Sequence, residues 1–273
     1  MRELQNEKTP LLEGFIFNLI TFQKERGFIK YYDAKIIRIF VSAKKKLKKM
    51  KYHTLEKYAS VQRMNRFLVA TGSKSDAMSL YRANLLVSQA FYPVLNLMEI
   101  FLRNSLYTCI ERYFSNSDWI ITEKNGFMND LTLAESGYYL KNSVIKAENK
   151  MLKRGIIASA EKILAEQSFS FWVSLFEPRH YKLIGGSIIH SFPNKPSHVN
   201  RKAILLLLTK IRDFRNRIYH NEPVCFNGSS VTFSHASQIR SDLLNILEWM
   251  NLDIKKYVQC FDTIEKQING YTF

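Results

Sequence analysis

The chain has few of the residues that build disulfide frameworks, thiolate metal centres or many-stranded sheets. Among 273 residues the only cysteines are Cys109, Cys225 and Cys260, far apart and without a Cys-x-x-Cys pair. Such thiols offer no disulfide framework and no thiolate zinc site, and they fit a reducing cytoplasm as small core residues. Ten glycines and six prolines make few turns and few helix breaks, which favours long helices over a sheet of many strands. Long apolar runs are also missing. Residues 11–22 are interrupted by Glu13, Gly14 and Asn18, and residues 94–102 contain Asn96 and Glu99. Neither run reaches the roughly 20 apolar residues of a membrane-spanning helix, and no secretory signal stands at the start. The expectation is a cytoplasmic protein with no membrane partner. His53, His180, His190, His198 and His235 have no partner at ligand spacing, so no metal and no cofactor is expected.

Acidic side chains are scarce too. There are 24 Asp and Glu against 40 Lys and Arg, a net charge of +16. That balance favours a polyanion such as RNA, DNA or an anionic membrane face. The first 75 residues hold 17 basic and 6 acidic side chains, so +11 of the total sits in the first quarter. The apolar share of 46% and aromatic share of 13% are enough for a substantial core. Residues 1–50 differ in character, with a lysine run at Lys44–Lys46 and Lys48–Lys49 and a short helix expected near 33–47. They read as a basic helical extension, either a solvated arm, an RNA-gripping arm or an upstream stretch that the working protein lacks. Residues 51–273 read as one helical domain.

Within that domain the periodicity predicts a helix over 54–68 and a turn at Thr71-Gly72-Ser73, with Ser75 as the next N-cap. A long helix follows over 76–114, apolar almost all round and kinked or broken at Pro93. Further helices are expected over 131–154, 157–176, 180–190, 198–220 (capped by Ser197) and 237–266, with a loop around Asn227-Gly228. The fold class is all-α, a helical bundle.

The 198–220 helix carries the chemistry. Ile204, Leu207, Ile211, Phe214 and Ile218 recur as an apolar seam. Arg212, Asn216, Tyr219 and His220 project from another face, with Arg215 between the two. The helix dipole favours cations at a C-terminus, which accounts for Arg215, Arg217 and His220. It does not account for Asn216, nor for Asn and His standing four apart on one face. His220 can exchange a proton near neutral pH, and an arginine fork can hold a phosphate. RNA supplies its own nucleophile, the 2′-hydroxyl. These parts suffice for metal-free cleavage by internal attack.

Arg215-Asn216-Arg217-Ile218-Tyr219-His220 resembles the Arg-polar-x-x-x-His signature of the HEPN ribonuclease superfamily. The continuation through Asn221, Glu222 and Pro223 is similar to the His-x-Glu-Pro ending of its Abi-like (abortive infection) members. Residues 98–104, Met-Glu-Ile-Phe-Leu-Arg-Asn, resemble that family's Glu-x-x-x-Arg-Asn helix, and Ser168-Phe169-Ser170-Phe171-Trp172 resembles its Ser-Phe-Gly-Phe-Trp stretch. Ser170 departs from the glycine of that pattern. The resemblance spans roughly residues 54–225. It implies a HEPN-type bundle in which two subunits face each other, and an antiviral toxin that cuts RNA to a 2′,3′-cyclic phosphate. Arg215 and His220 would be the catalytic pair and Asn216 their polar assistant. From their place beside the motif, Arg212, Arg217 and Tyr219 are expected to contact RNA. The implied partners are the RNA substrate, a second copy sharing a composite site, and a restraining antitoxin or noncoding RNA.

Other readings stand beside this one. Glu99 and Arg103 can form an internal ion pair, or Arg103 and Asn104 can line the rim of the RNA cleft. The aromatic cluster at 169–172 reads as core, and Tyr219 as the better base-stacking group. A non-catalytic RNA-binding or regulatory module is the main alternative. A DNA-binding regulator is suggested by charge alone, without a recognisable helix-turn-helix.

Overall fold

A computed structural model describes residues 50–271. The helix expected near 33–47 and the lysine run lie outside the described residues. The chain divides into two units, one ending at Tyr58 and one running from Ala59 onward. Of the first unit, the described part is most of α1 (Tyr52–Ala59).

The described protein is mostly helical, in line with the all-α expectation. The second unit runs through α2 (Val61–Thr71), α3 (Lys74–Phe114), α4 (Trp119–Thr122), α5 (Tyr139–Leu152), α6 (Ala160–Glu166), α7 (Phe169–Ser174) and α8 (Pro178–Leu183). It continues with α9 (Arg201–Tyr219), a two-stranded hairpin of β1 (Phe226–Asn227) and β2 (Ser230–Val231), then α10 (Ser234–Met250), α11 (Leu252–Gln259) and α12 (Ile264–Asn269). Short 3₁₀ turns occupy Phe127–Asn129, Leu131–Ser136 and Ser187–Ser191.

The 41-residue α3 organises the rest. Its buried positions recur every three or four residues from Ala77 through Leu80, Val87, Phe91, Met98, Leu102 and Leu106 to Ile110. The helices α2, α4, α7, α10, α11 and α12 all pack against it. Burial follows a stripe, not the whole circumference: Leu85, Tyr92 and Tyr113 are exposed. Pro93 leaves α3 continuous, although its ring cannot donate the hydrogen bond an interior residue normally gives. By length and composition alone α3 is apolar enough to cross a membrane, because its mean hydropathy stays high across Asn96 and Glu99.

Several long helices expected from periodicity are split by polar caps. The 54–68 helix breaks at Ser60, which takes a positive φ of 79° and accepts from the Arg63 N–H at 3.2 Å. Ser73, not Ser75, caps α3, accepting from the Asp76 N–H and donating to its carboxylate. The 131–154 helix begins as a 3₁₀ turn and restarts after left-handed Gly137 and Tyr138. The 157–176 helix parts at Gln167 and Ser168. Buried Gln167 there bonds the Ser143 hydroxyl at 2.6 Å and the Ile163 carbonyl at 3.0 Å. The 180–190 helix begins earlier, at Pro178, and gives way to a 3₁₀ turn after left-handed Gly185 and Gly186. Asn200, not Ser197, caps α9. The 237–266 helix is three helices, with Asn251 capping the second. The Asn227-Gly228 loop is a hairpin whose tight turn places Gly228 at φ 61°.

The cysteines divide. Cys225 is buried and its thiol is pushed up to about 12 by burial, whereas Cys260 is exposed and so is not a core residue.

Candidate active site

The motif sits where α9 stops. The helix packs through Ile204, Leu208, Ile211, Phe214 and Ile218. Leu208 replaces the expected Leu207, because seven residues of an α-helix fall about 20° short of two full turns, so the buried stripe drifts away from a strict seam. His220 is the C-cap. Asn221 then takes a left-handed φ of 57°. Its N–H donates to the Ile218 carbonyl at 3.0 Å, and the Glu222 N–H reaches back to the Arg217 carbonyl at 2.8 Å. This is a Schellman ending, in which asparagine is the usual substitute for glycine and proline follows because the helix cannot continue. The string His220-Asn221-Glu222-Pro223 therefore has a backbone reason of its own.

Three side chains tie this ending down. Arg217 donates from a terminal guanidinium nitrogen to the Pro223 carbonyl at 2.7 Å, and its Nε lies 3.7 Å from the Glu222 carboxylate. Arg63 of α2 donates to the Asn221 carbonyl at 2.5 Å. Asn84, buried on α3, accepts from the Val224 N–H at 2.7 Å. Arg63 and Asn84 carried no signal in the sequence, since a single buried amide on an apolar helix has no local pattern.

On the opposite side of α9, Arg215 turns toward α3. Its guanidinium lies 3.6 Å from the Glu99 carboxylate and 4.1 Å from the centre of the Tyr219 ring, and it donates to the Asn216 side chain at 3.3 Å. Tyr219 in turn meets Tyr92 at 5.2 Å, and Phe214 meets Phe91 at 4.8 Å. Burial raises the Glu99 carboxyl above its ordinary value, and the opposing pull of Arg215 and then Arg103 is weaker. Two arginines thus face one half-buried carboxylate. Asn104 is exposed beyond them.

The structure brings together the three segments singled out in the sequence. The Glu99–Asn104 stretch lies on α3 and meets Arg215 of α9 through Glu99. Helix α7, with Phe169, Phe171 and Trp172 buried, packs against both α3 and α9. Within the motif the groups diverge. Arg215 is held on Glu99 and Tyr219, Arg217 on the loop, and Arg212 on neighbouring Asp213 at 3.0 Å. The exposed His220 ring has no hydrogen bond among the described residues. One copy therefore presents an imidazole and an arginine cluster, not a closed catalytic pair.

Among the described residues, no three His, Cys, Asp or Glu side chains gather as a metal site. His180 is buried, its Nδ1 at 2.9 Å from the Ser174 carbonyl. Comparison with family profiles, with curated proteins and with solved structures finds no match to this chain.

Proposed function

We propose that the protein is a metal-independent endoribonuclease of the abortive-infection type, built on a HEPN-type helical bundle. The observation that carries this reading is the convergence of the three resembling segments, with Glu99 of α3 against Arg215 of α9 and α7 packed on both. In the reaction, His220 takes the proton of an RNA 2′-hydroxyl, whose oxygen attacks the adjacent phosphorus. The bond to the 5′-oxygen breaks, that oxygen gains a proton, and a 2′,3′-cyclic phosphate and a 5′-hydroxyl remain. Arg215 holds the phosphate and balances the charge that builds on its oxygens, with Asn216 assisting and Tyr219 stacking a base. Because Arg215 and His220 diverge in one copy, the working form is a homodimer in which two motif faces share a cleft. Arg103 and Asn104 lie at its rim, and an antitoxin or noncoding RNA restrains it. The site works in the cytoplasm of an infected cell.

Incubation with total RNA in EDTA, read by end-mapping, tests this. Cyclic-phosphate ends made by wild type and not by His220→Ala are expected, and cleavage surviving in both His220→Ala and Arg215→Ala removes the site from consideration.

A second reading has an observation of its own. Arg212, Arg215 and Arg217 are all engaged within the fold, as a packing role alone would require. A non-catalytic RNA-binding or regulatory module would retard RNA on a gel and never shorten it.

A further inference from the structure

A second polar cleft lies away from the Arg215–Tyr219 face. It has a volume of about 530 Å³ and is lined by Arg66 of α2, Arg217 of α9, Phe226 of the hairpin, and Ser234, His235 and Gln238 of α10. Three features give it one electrostatic sign. Two guanidiniums from different helices border it, and among the described residues no carboxylate lines it. Arg66 is held in place, 4.3 Å above the Phe226 ring and 3.5 Å from the Gly228 carbonyl, so its fork is set in position before any ligand arrives. Arg217 is anchored as well, by the Pro223 carbonyl at 2.7 Å and by the Glu222 carboxylate 3.7 Å from its Nε.

The start of α10 adds to this. Its first turn has no acidic residue; the Thr232 hydroxyl accepts from the Ser234 N–H at 3.1 Å, and Phe233 offers no side-chain cap to the N–H groups that follow. The 17-residue helix directs its positive end at the same cleft through Ser234 and His235. Of the acids nearby, Asp242 is buried and accepts from the Gln238 amide at 2.9 Å, and the Glu222 carboxylate stands 3.7 Å from the Arg217 Nε without lining the cleft.

We propose that this cleft binds a phosphate group, at a site separate from Arg215 and His220. A phosphate offers the several acceptor oxygens that the Arg66 fork, the remaining Arg217 N–H groups, the Gln238 side chain and the N–H groups after Ser234 can all meet. The phosphate can come from a nucleotide strand or from a small free phosphate, and the chemistry of the cleft is the same for both. The proposal does not depend on the ribonuclease reading.

The test uses the full chain with two probes: a fluorescein-labelled ten-nucleotide single strand of 2′-O-methyl RNA, followed by anisotropy, and inorganic phosphate, followed by isothermal titration. The 2′-O-methyl strand cannot be cut by 2′-hydroxyl attack, so binding is read whether or not the protein is a nuclease. Two variants are compared with wild type. Arg66→Ala removes one fork. Ser234→Asp puts a carboxylate at the helix start, where it favours the helix but repels an anion. Each is expected to weaken binding about tenfold, roughly one good charged contact, while the melting temperature of Ser234→Asp stays level or rises. Weakening of both probes assigns the cleft to phosphate from either source. Weakening of the oligonucleotide alone assigns it to a strand, and of inorganic phosphate alone to a small ligand. Failure of wild type to bind either probe overturns the proposal, and so does unchanged affinity for both probes in both variants.

Discussion

Arg215 reaches across from α9 to within 3.6 Å of Glu99 on α3, joining the helix that ends in the motif to the helix that organises the core. Both side chains are about a quarter exposed or less, at 26% and 20%. Solvent therefore screens the pair, and its worth is that of a semi-exposed bridge. A double-mutant cycle with Glu99→Gln and Arg215→Ala is expected to give a coupling energy of about 1 kcal/mol or less by urea denaturation. In cleavage assays Arg215→Ala loses activity, whereas Glu99→Gln retains part of it, since the carboxylate positions the guanidinium without touching RNA. Equal loss in both would make Glu99 a member of the reacting set.

Glu99 also makes a prediction about pH. Burial raises its carboxyl despite the two arginines, so the folded state favours the protonated form. The stabilisation this brings is complete below the ordinary carboxyl value near 4.5 and is lost as pH rises through the folded value. Glu99→Gln mimics the neutral form at every pH. Its stability relative to wild type is expected to be higher at pH 7 than at pH 4, measured by denaturant midpoints.

His180 behaves in the opposite sense. It is buried, and burial lowers its pKa below the ordinary 6.5, ahead of the opposing hydrogen bond to Ser174 and the charge of Glu177. The unfolded chain takes up a proton below pH 6.5 that the folded chain refuses, so stability falls as pH drops through that range. His180→Asn keeps a donor for the Ser174 carbonyl and removes the titration. It should lose less stability than wild type between pH 7.5 and 5.5.

The loop behind the motif is held by a buried amide. Asn84→Ala leaves the Val224 N–H without its 2.7 Å acceptor, in a position closed to water. A loss of about 1–3 kcal/mol is expected by chemical denaturation, with faster amide exchange at Val224. An unchanged exchange rate would show that another group holds the loop.

The left-handed residue after His220 can be tested by itself. Asn221→Gly should be neutral or slightly stabilising, because glycine adopts φ 57° without strain. Asn221→Val should cost about 1–2 kcal/mol, as a β-branched side chain resists that conformation.

The sequence by itself determined the helical class, the identity of the motif helix and the place where it stops. Those features are local. Sparse glycine and proline, a three-and-four apolar spacing, and Glu222-Pro223 after His220 each act over a few residues. The long helices that periodicity predicts are cut at Ser60, Gln167 and Asn251, whose side chains bond backbone or neighbouring helices. Tertiary structure alone decided which way each arginine of the motif points. Arg215 turns to Glu99, which lies 116 residues earlier, and Arg217 turns to the loop and to the cleft it borders with Arg66 and His235. An α-helix sets the angular spacing of its side chains, but the partner that captures a long, flexible guanidinium comes from whichever element packs beside it.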